Sequence, residues 1–126
     1  MYHLWYNKYM VNSVLPIRFY ASLMGNEPVR EWLKSLSHAE KKNIGEDIKT
    51  LQIGWPIGMP LVKYVGDSLY ELRSTLPTNK IARIIFFFFN GEIILLHGFI
   101  KKSQKIELSD LELAKKRKSE IVSHEQ

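Results

Sequence analysis

"ELRSTLPTNKIARIIFFFFNGEIILLHGFIKKSQK", residues 71–105, decides how this 126-residue chain folds. Two apolar runs meet at Asn90-Gly91, the pair that most favours a two-residue hairpin turn because both positions tolerate positive φ. The cationic residues Arg73, Arg83, Lys101, Lys102 and Lys105 stand toward the far ends of the runs. A two-residue turn sets Phe89 opposite Glu92, Ile84 opposite His97 and Arg83 opposite Gly98. Alternation then predicts one face with Arg83, Ile85, Phe87, Leu96 and Gly98, extended by Lys102. The other face carries Ile84, Phe86, Leu95, His97 and Phe99.

Working outward, residues 17–23 ("IRFYASL") read as a strand, being β-branched and aromatic. Asn26 is placed to cap a short helix with Glu27 and Pro28 in its first turn, followed by Val29, Trp32, Leu33 and Leu36 at helical spacing. "SHAE", residues 37–40, fits a capping box and opens a second helix with Ile44, Ile48 and Leu51 on one side. "GWPIGMP", residues 54–60, breaks every regular pattern and reads as a loop. "SDLE", residues 109–112, reads as a second capping box launching a C-terminal helix. The expected class is α+β, in the order β-α-α-β-β-β-α: a small, antiparallel-rich twisted sheet with two N-terminal helices and one C-terminal helix. Residues 1–16 read as an N-terminal extension, and residues 17–126 as a single domain.

The totals narrow the function. There are no cysteines, and the four histidines are scattered, so disulfides and thiolate metal sites are excluded and no cofactor is expected. Gly-rich phosphate loops and the common hydrolase motifs are absent. No apolar run is long enough to span a bilayer, and the aromatic opening lacks a signal-peptide pattern, so the chain reads as cytoplasmic. A formal charge of +5 favours anionic partners. Register gathers the cations into a shallow pocket at the sheet end away from the hairpin. Arg83 and Lys102 stand on its rim, Arg73 lies beside them, and Gly98 forms an open floor. The same residues also fit an ordinary arrangement, with Arg83 paired to Glu71 and residues 101–105 a solvated loop. His97, on the opposite face by this register, is expected to be structural.

The stretch from roughly Ile17 to Ile121, with "GMPLVKYVGDSLYELR", "RIIFFFF", "LLHGFIKK" ahead of Gln104-Lys105, and "ELAKKRKSE", resembles the RelE/ParE toxin superfamily, most closely its HigB-like, phage-associated branch. The resemblance implies a RelE-like fold and the toxin of a type II toxin–antitoxin pair. The implied activity is a ribosome-dependent, metal-independent endoribonuclease that cuts mRNA in the ribosomal A site, with no membrane partner. Silencing would come from a helix-turn-helix, HigA-like antitoxin, through which alone operator DNA would be contacted. It implies catalytic roles for Arg73, Arg83 and Lys102, and RNA contacts from Lys63, Lys101, Gln104 and Lys105. Where RelE has an aromatic hydroxyl this chain has Leu108, which leaves the acid and base open among Glu71, His97 and Lys102. The alternatives are a ParE-like gyrase poison or a non-catalytic RNA-binding module.

Overall fold

The computed structural model of the chain describes residues 14–101 and 106–125, the side chain of Lys101 excepted. Strand β1 (Ile17–Phe19) is followed by helices α1 (Pro28–Lys34) and α2 (His38–Gly54). Strands β2 (Val62–Gly66), β3 (Leu69–Thr75), β4 (Ile81–Phe89) and β5 (Glu92–Lys101) come next, and helix α3 (Leu108–His124) ends the fold. The five strands form one sheet in the order β1-β5-β4-β3-β2, with β2 to β5 an antiparallel meander and β1 parallel to β5. This is the expected α+β class with one strand more than the sequence reading gave.

The extra strand is β2. Its connection to β3 turns through Asp67 and Ser68, both at positive φ, with Gly66 also at positive φ. A two-residue turn built from Asp and Ser lacks the Asn-Gly signature, so the sequence does not mark Val62–Gly66 as a separate strand. The Asn90-Gly91 turn is as expected, with φ of 50° and 79°. Two helix starts also shift. Glu27, not Asn26, precedes α1. Glu107 precedes α3 with no side-chain cap, so Ser109 lies inside the helix and the second capping box does not form. The capping box at Ser37 and Glu40 does form, each side chain accepting the other residue's backbone N–H.

β4 is the central strand, and its apolar run is continuous because both faces are covered. On one side Ala82, Ile84 and Phe86 join Val29 of α1 and Ile44 and Leu51 of α2. On the other, Ile85 and Phe87 join Ile94, Leu96 and Leu69 beneath Ala114 and Ile121 of α3. The expected Phe89–Glu92 pairing holds back to Phe86–Leu95, where a β-bulge shifts the register. Beyond it Ile85 faces His97, Ile84 faces Gly98 and Arg83 faces Phe99. The extra residue is Leu96. Both Leu96 and His97 therefore point to the α3 side, as the first residues of a bulge do.

On β5 beyond the bulge, the expected faces of His97, Gly98 and Phe99 are reversed. Gly98 does not floor a cationic pocket: it turns to the α1 side, where a Cβ would come within 2.5 Å of the Trp32 ring. Replacing Gly98 by Ala is expected to cost about 1–3 kcal/mol through overpacking. Denaturant midpoints should show that Trp32→Leu recovers part of this loss in the double variant.

At the sheet edge, Arg18 of β1 holds the Glu125 carboxylate just past α3, with Nη1 to Oε1 at 3.0 Å. These hydrogen bonds keep the Glu125 carboxyl below its ordinary value. A depressed folded-state pKa contributes stability above the unfolded carboxylate range and loses it as pH falls through the folded value. Glu125→Gln should therefore lower the urea midpoint at pH 7 slightly and leave it unchanged near pH 2.

Candidate functional site

β3 sends Leu69, Glu71 and Arg73 to the α3 face, and Leu72 and Ser74 to the other. Glu71 lies opposite Lys63 on β2 and Ile85 on β4, while Arg73 lies opposite Arg83. Lys63, Glu71, Arg73 and Arg83 thus share one face, at the sheet end away from the Asn90-Gly91 turn. The apolar stripe of α3 packs on Leu69, Ile85, Phe87, Ile94 and Leu96, the other half of that face.

A carboxylate sits at the centre of this cluster. Glu71 Oε2 lies 3.3 Å from Arg83 Nη1, and Oε1 lies 3.6 Å from Arg73 Nε. Exposure grades the three side chains: 1% for Glu71, 3% for Arg83 and 23% for Arg73. Arg83 is therefore a buried member of an ion pair and not a rim residue, which corrects the first expectation. Two guanidiniums around one carboxylate leave a net positive charge held out of water, with Arg73 its exposed edge. The Arg73 Nε is buried without a hydrogen bond. Burying charge is costly unless it is neutralised, so the cluster is suited to an anion arriving at Arg73.

His97 joins the same face because of the bulge. Its Nε2 lies 2.8 Å from Asp110 Oδ1 in the first turn of α3, and its ring stacks on Phe99 at 5.0 Å. Both partners remain partly exposed, at 17% and 19%. A carboxylate only accepts, so Nε2 is the donating nitrogen in this bond. The placement of His97 away from Arg83 is thus overturned: Arg83 and His97 are diagonal neighbours, roughly 7 Å apart by strand geometry.

The bulge itself has a visible support. The Leu96 carbonyl accepts from Arg117 Nη1 at 2.7 Å, and the Arg117 guanidinium lies over the Tyr20 ring at 5.1 Å. Burial pulls the Arg117 guanidinium down from its ordinary value. The Tyr20 hydroxyl donates to Glu120 at 2.6 Å, and that bond, with burial, raises its pKa.

Arg73 also lines a depression of about 300 Å³ on the sheet's edge, shared with Asn43, Glu46 and Asp47. Its carboxylates make it a poor phosphate site, and Asp47 is already engaged by the Ser74 hydroxyl at 2.5 Å. Lys102, Gln104 and Lys105 lie outside the described residues, as does the side chain of Lys101. Among the described residues no three His, Asp or Glu side chains converge as a metal would need, and no helix is long and apolar enough to cross a membrane. Asp110 and Arg117 were missed by sequence reasoning. An acidic residue in a first helical turn and a basic one in a charged helix carry no distinguishing signal.

The profile of the phage derived protein Gp49-like family (DUF891) matches residues 31–119, the span that holds the whole cluster. The chain belongs to the Gp49-like family. It is a toxin–antitoxin-associated family of RelE/HigB-like proteins. No curated protein matches the chain in sequence.

Breaking the buried pair by removing one partner leaves an uncompensated charge, which costs about 3–5 kcal/mol. Arg83→Ala should therefore lower unfolding stability by that order in urea titrations. Arg73→Ala, at the exposed edge, should cost less than about 1 kcal/mol.

Proposed function

We propose that this Gp49-like protein is the toxin of a type II toxin–antitoxin pair and acts as a ribosome-dependent mRNA endoribonuclease. One observation carries the reading. Arg73 and Arg83 hold Glu71, with Lys63 beside it in register, on the same sheet face as the His97–Asp110 pair, which supports an anion subsite next to a proton acceptor.

Metal-independent RNA cleavage needs an in-line phosphate, charge stabilisation on its oxygens, and transfer of a proton from the 2′-hydroxyl. Arg73 grips the scissile phosphate through paired N–H donors, its orientation set by Glu71 and, behind it, by Arg83. Nδ1 of His97 takes the 2′-hydroxyl proton as that oxygen attacks phosphorus. The bond from phosphorus to the 5′-oxygen breaks, leaving a 2′,3′-cyclic phosphate and a 5′-hydroxyl that takes its proton from solvent. Asp110 is a positioning residue that holds the imidazole in one tautomer. Lys102 adds positive charge at the phosphate, and Lys63, Lys101, Gln104 and Lys105 contact the RNA on either side. Glu71, held between two guanidiniums, serves better as their organiser than as the base. A helix-turn-helix antitoxin is the expected silencing partner.

Purified ribosomes programmed with a defined mRNA test this directly. The wild-type chain should cut within the A-site codon and leave a cyclic phosphate end. Arg73→Ala and His97→Gln should each lose about 10²-fold or more in cleavage while remaining folded, the range of a lost general base. Asp110→Asn should lower kcat with little change in KM. A folded wild-type protein that leaves mRNA intact overturns the proposal, and inhibition of DNA gyrase with DNA breaks would put the gyrase poison in its place.

A further inference from the structure

A second surface lies on the opposite side of the sheet, between α1 and α2. There Phe19, Leu33, Ile44 and Ile48 form the floor of an apolar groove of about 270 Å³, and Arg30, Lys34 and Lys41 stand along its rim. Arg30 is tied to Glu27 at 3.1 Å and lies over the Phe19 ring. Lys34 and Lys41 make no ion pair with any described residue. The groove therefore offers apolar area flanked by uncompensated positive charge.

Gly45 supplies a second, independent observation. It lies in the middle of α2, where glycine is among the poorest helix formers, and it is exposed. Nothing among the described residues requires it. Its φ is ordinary, and an added Cβ would meet no atom within 4 Å. Gly45 nevertheless lines the groove. A residue without a side chain there lets another helix approach α2 closely, since helix separation is set by the side chains at the contact.

We infer that this groove receives an amphipathic helix of a protein partner, with an apolar stripe seated across Gly45 and carboxylates on both flanks that meet Arg30, Lys34 and Lys41. The partner is defined by that chemistry: an acidic, helix-forming segment read by apolar anchors at i, i+3 or i+4, and i+7. The surface is separate from the RNA site, so the inference stands or falls independently of the nuclease reading.

The test uses the isotopically labelled full chain titrated with a synthetic 18-residue helix carrying a leucine stripe flanked by glutamates. Controls are the same peptide with lysines for glutamates, a scrambled acidic peptide, and a uridine oligonucleotide. The acidic helix should bind with resonance shifts confined to α1 and α2 and should weaken as salt rises. Gly45→Gln, which improves helix propensity and fills the groove, should raise the thermal midpoint and weaken peptide binding at least tenfold. Equal binding of the scrambled or basic peptide, undiminished binding to the Gly45→Gln protein, or the same shifts with the oligonucleotide would overturn the inference. So would concentration-dependent dimerisation through this groove, or Overhauser contacts from residues 1–13 of the free chain to Ile44 or Ile48.

Discussion

The hydrogen bond from Arg117 to the Leu96 carbonyl fixes which side of the sheet His97 occupies. A bulge removes one residue from the ladder, and its carbonyl must find another donor or remain unsatisfied beneath a helix. Arg117 supplies that donor from α3, braced against Tyr20. With the bulge held, His97 turns toward α3 and meets Asp110, while Gly98 turns away beneath Trp32. Without it, the imidazole would lie among Phe86, Leu95 and Ile84, and Gly98 would face Arg83. A single carbonyl acceptor thus separates a structural histidine from one that shares a face with two arginines.

The charge cluster depends on the same layering. β4 is covered on both sides, so its interior is dry, and Arg83 is buried on the face it would otherwise expose. Glu71 makes that burial tolerable, and Arg73 brings the surplus positive charge to the edge. The desolvation that makes such a triad a weak source of stability makes it a stronger electrostatic partner for phosphate than surface lysines would be. Arg83 and Glu71 therefore add little to the fold's stability for the surface they bury. The apolar layers around Phe86 and Phe87 carry the rest.

Much of the fold was legible in the sequence. The capping box at Ser37, the Asn90-Gly91 turn and the two-sided apolar run of β4 each rest on local rules that the structure obeys. The failures are specific. Asp67 and Ser68 adopt positive φ without the usual residues, so the turn that sets β2 off as a separate strand carries no sequence signal. The bulge at Leu96 has no local cue except Gly98, and a glycine within a strand signals either a bulge or a close approach. Here it accompanies both, the bulge two residues back and the indole of Trp32. The cluster's membership was readable from alternation on β3 and β4, and the pairing of Arg83 with Glu71 was foreseeable from their types and parity. The position of His97 was not, because the bulge that sets its parity is supported by Arg117, 21 residues from Leu96 in sequence.

The orientation of the His97 ring tests this account most directly. Overhauser contacts from the His97 imidazole protons, measured on the labelled full chain, distinguish the two registers. The account predicts contacts to Asp110 and Leu111 of α3, with a slowly exchanging proton on Nε2. Contacts to Trp32 or Ile84, on the α1 side of the sheet, would contradict it.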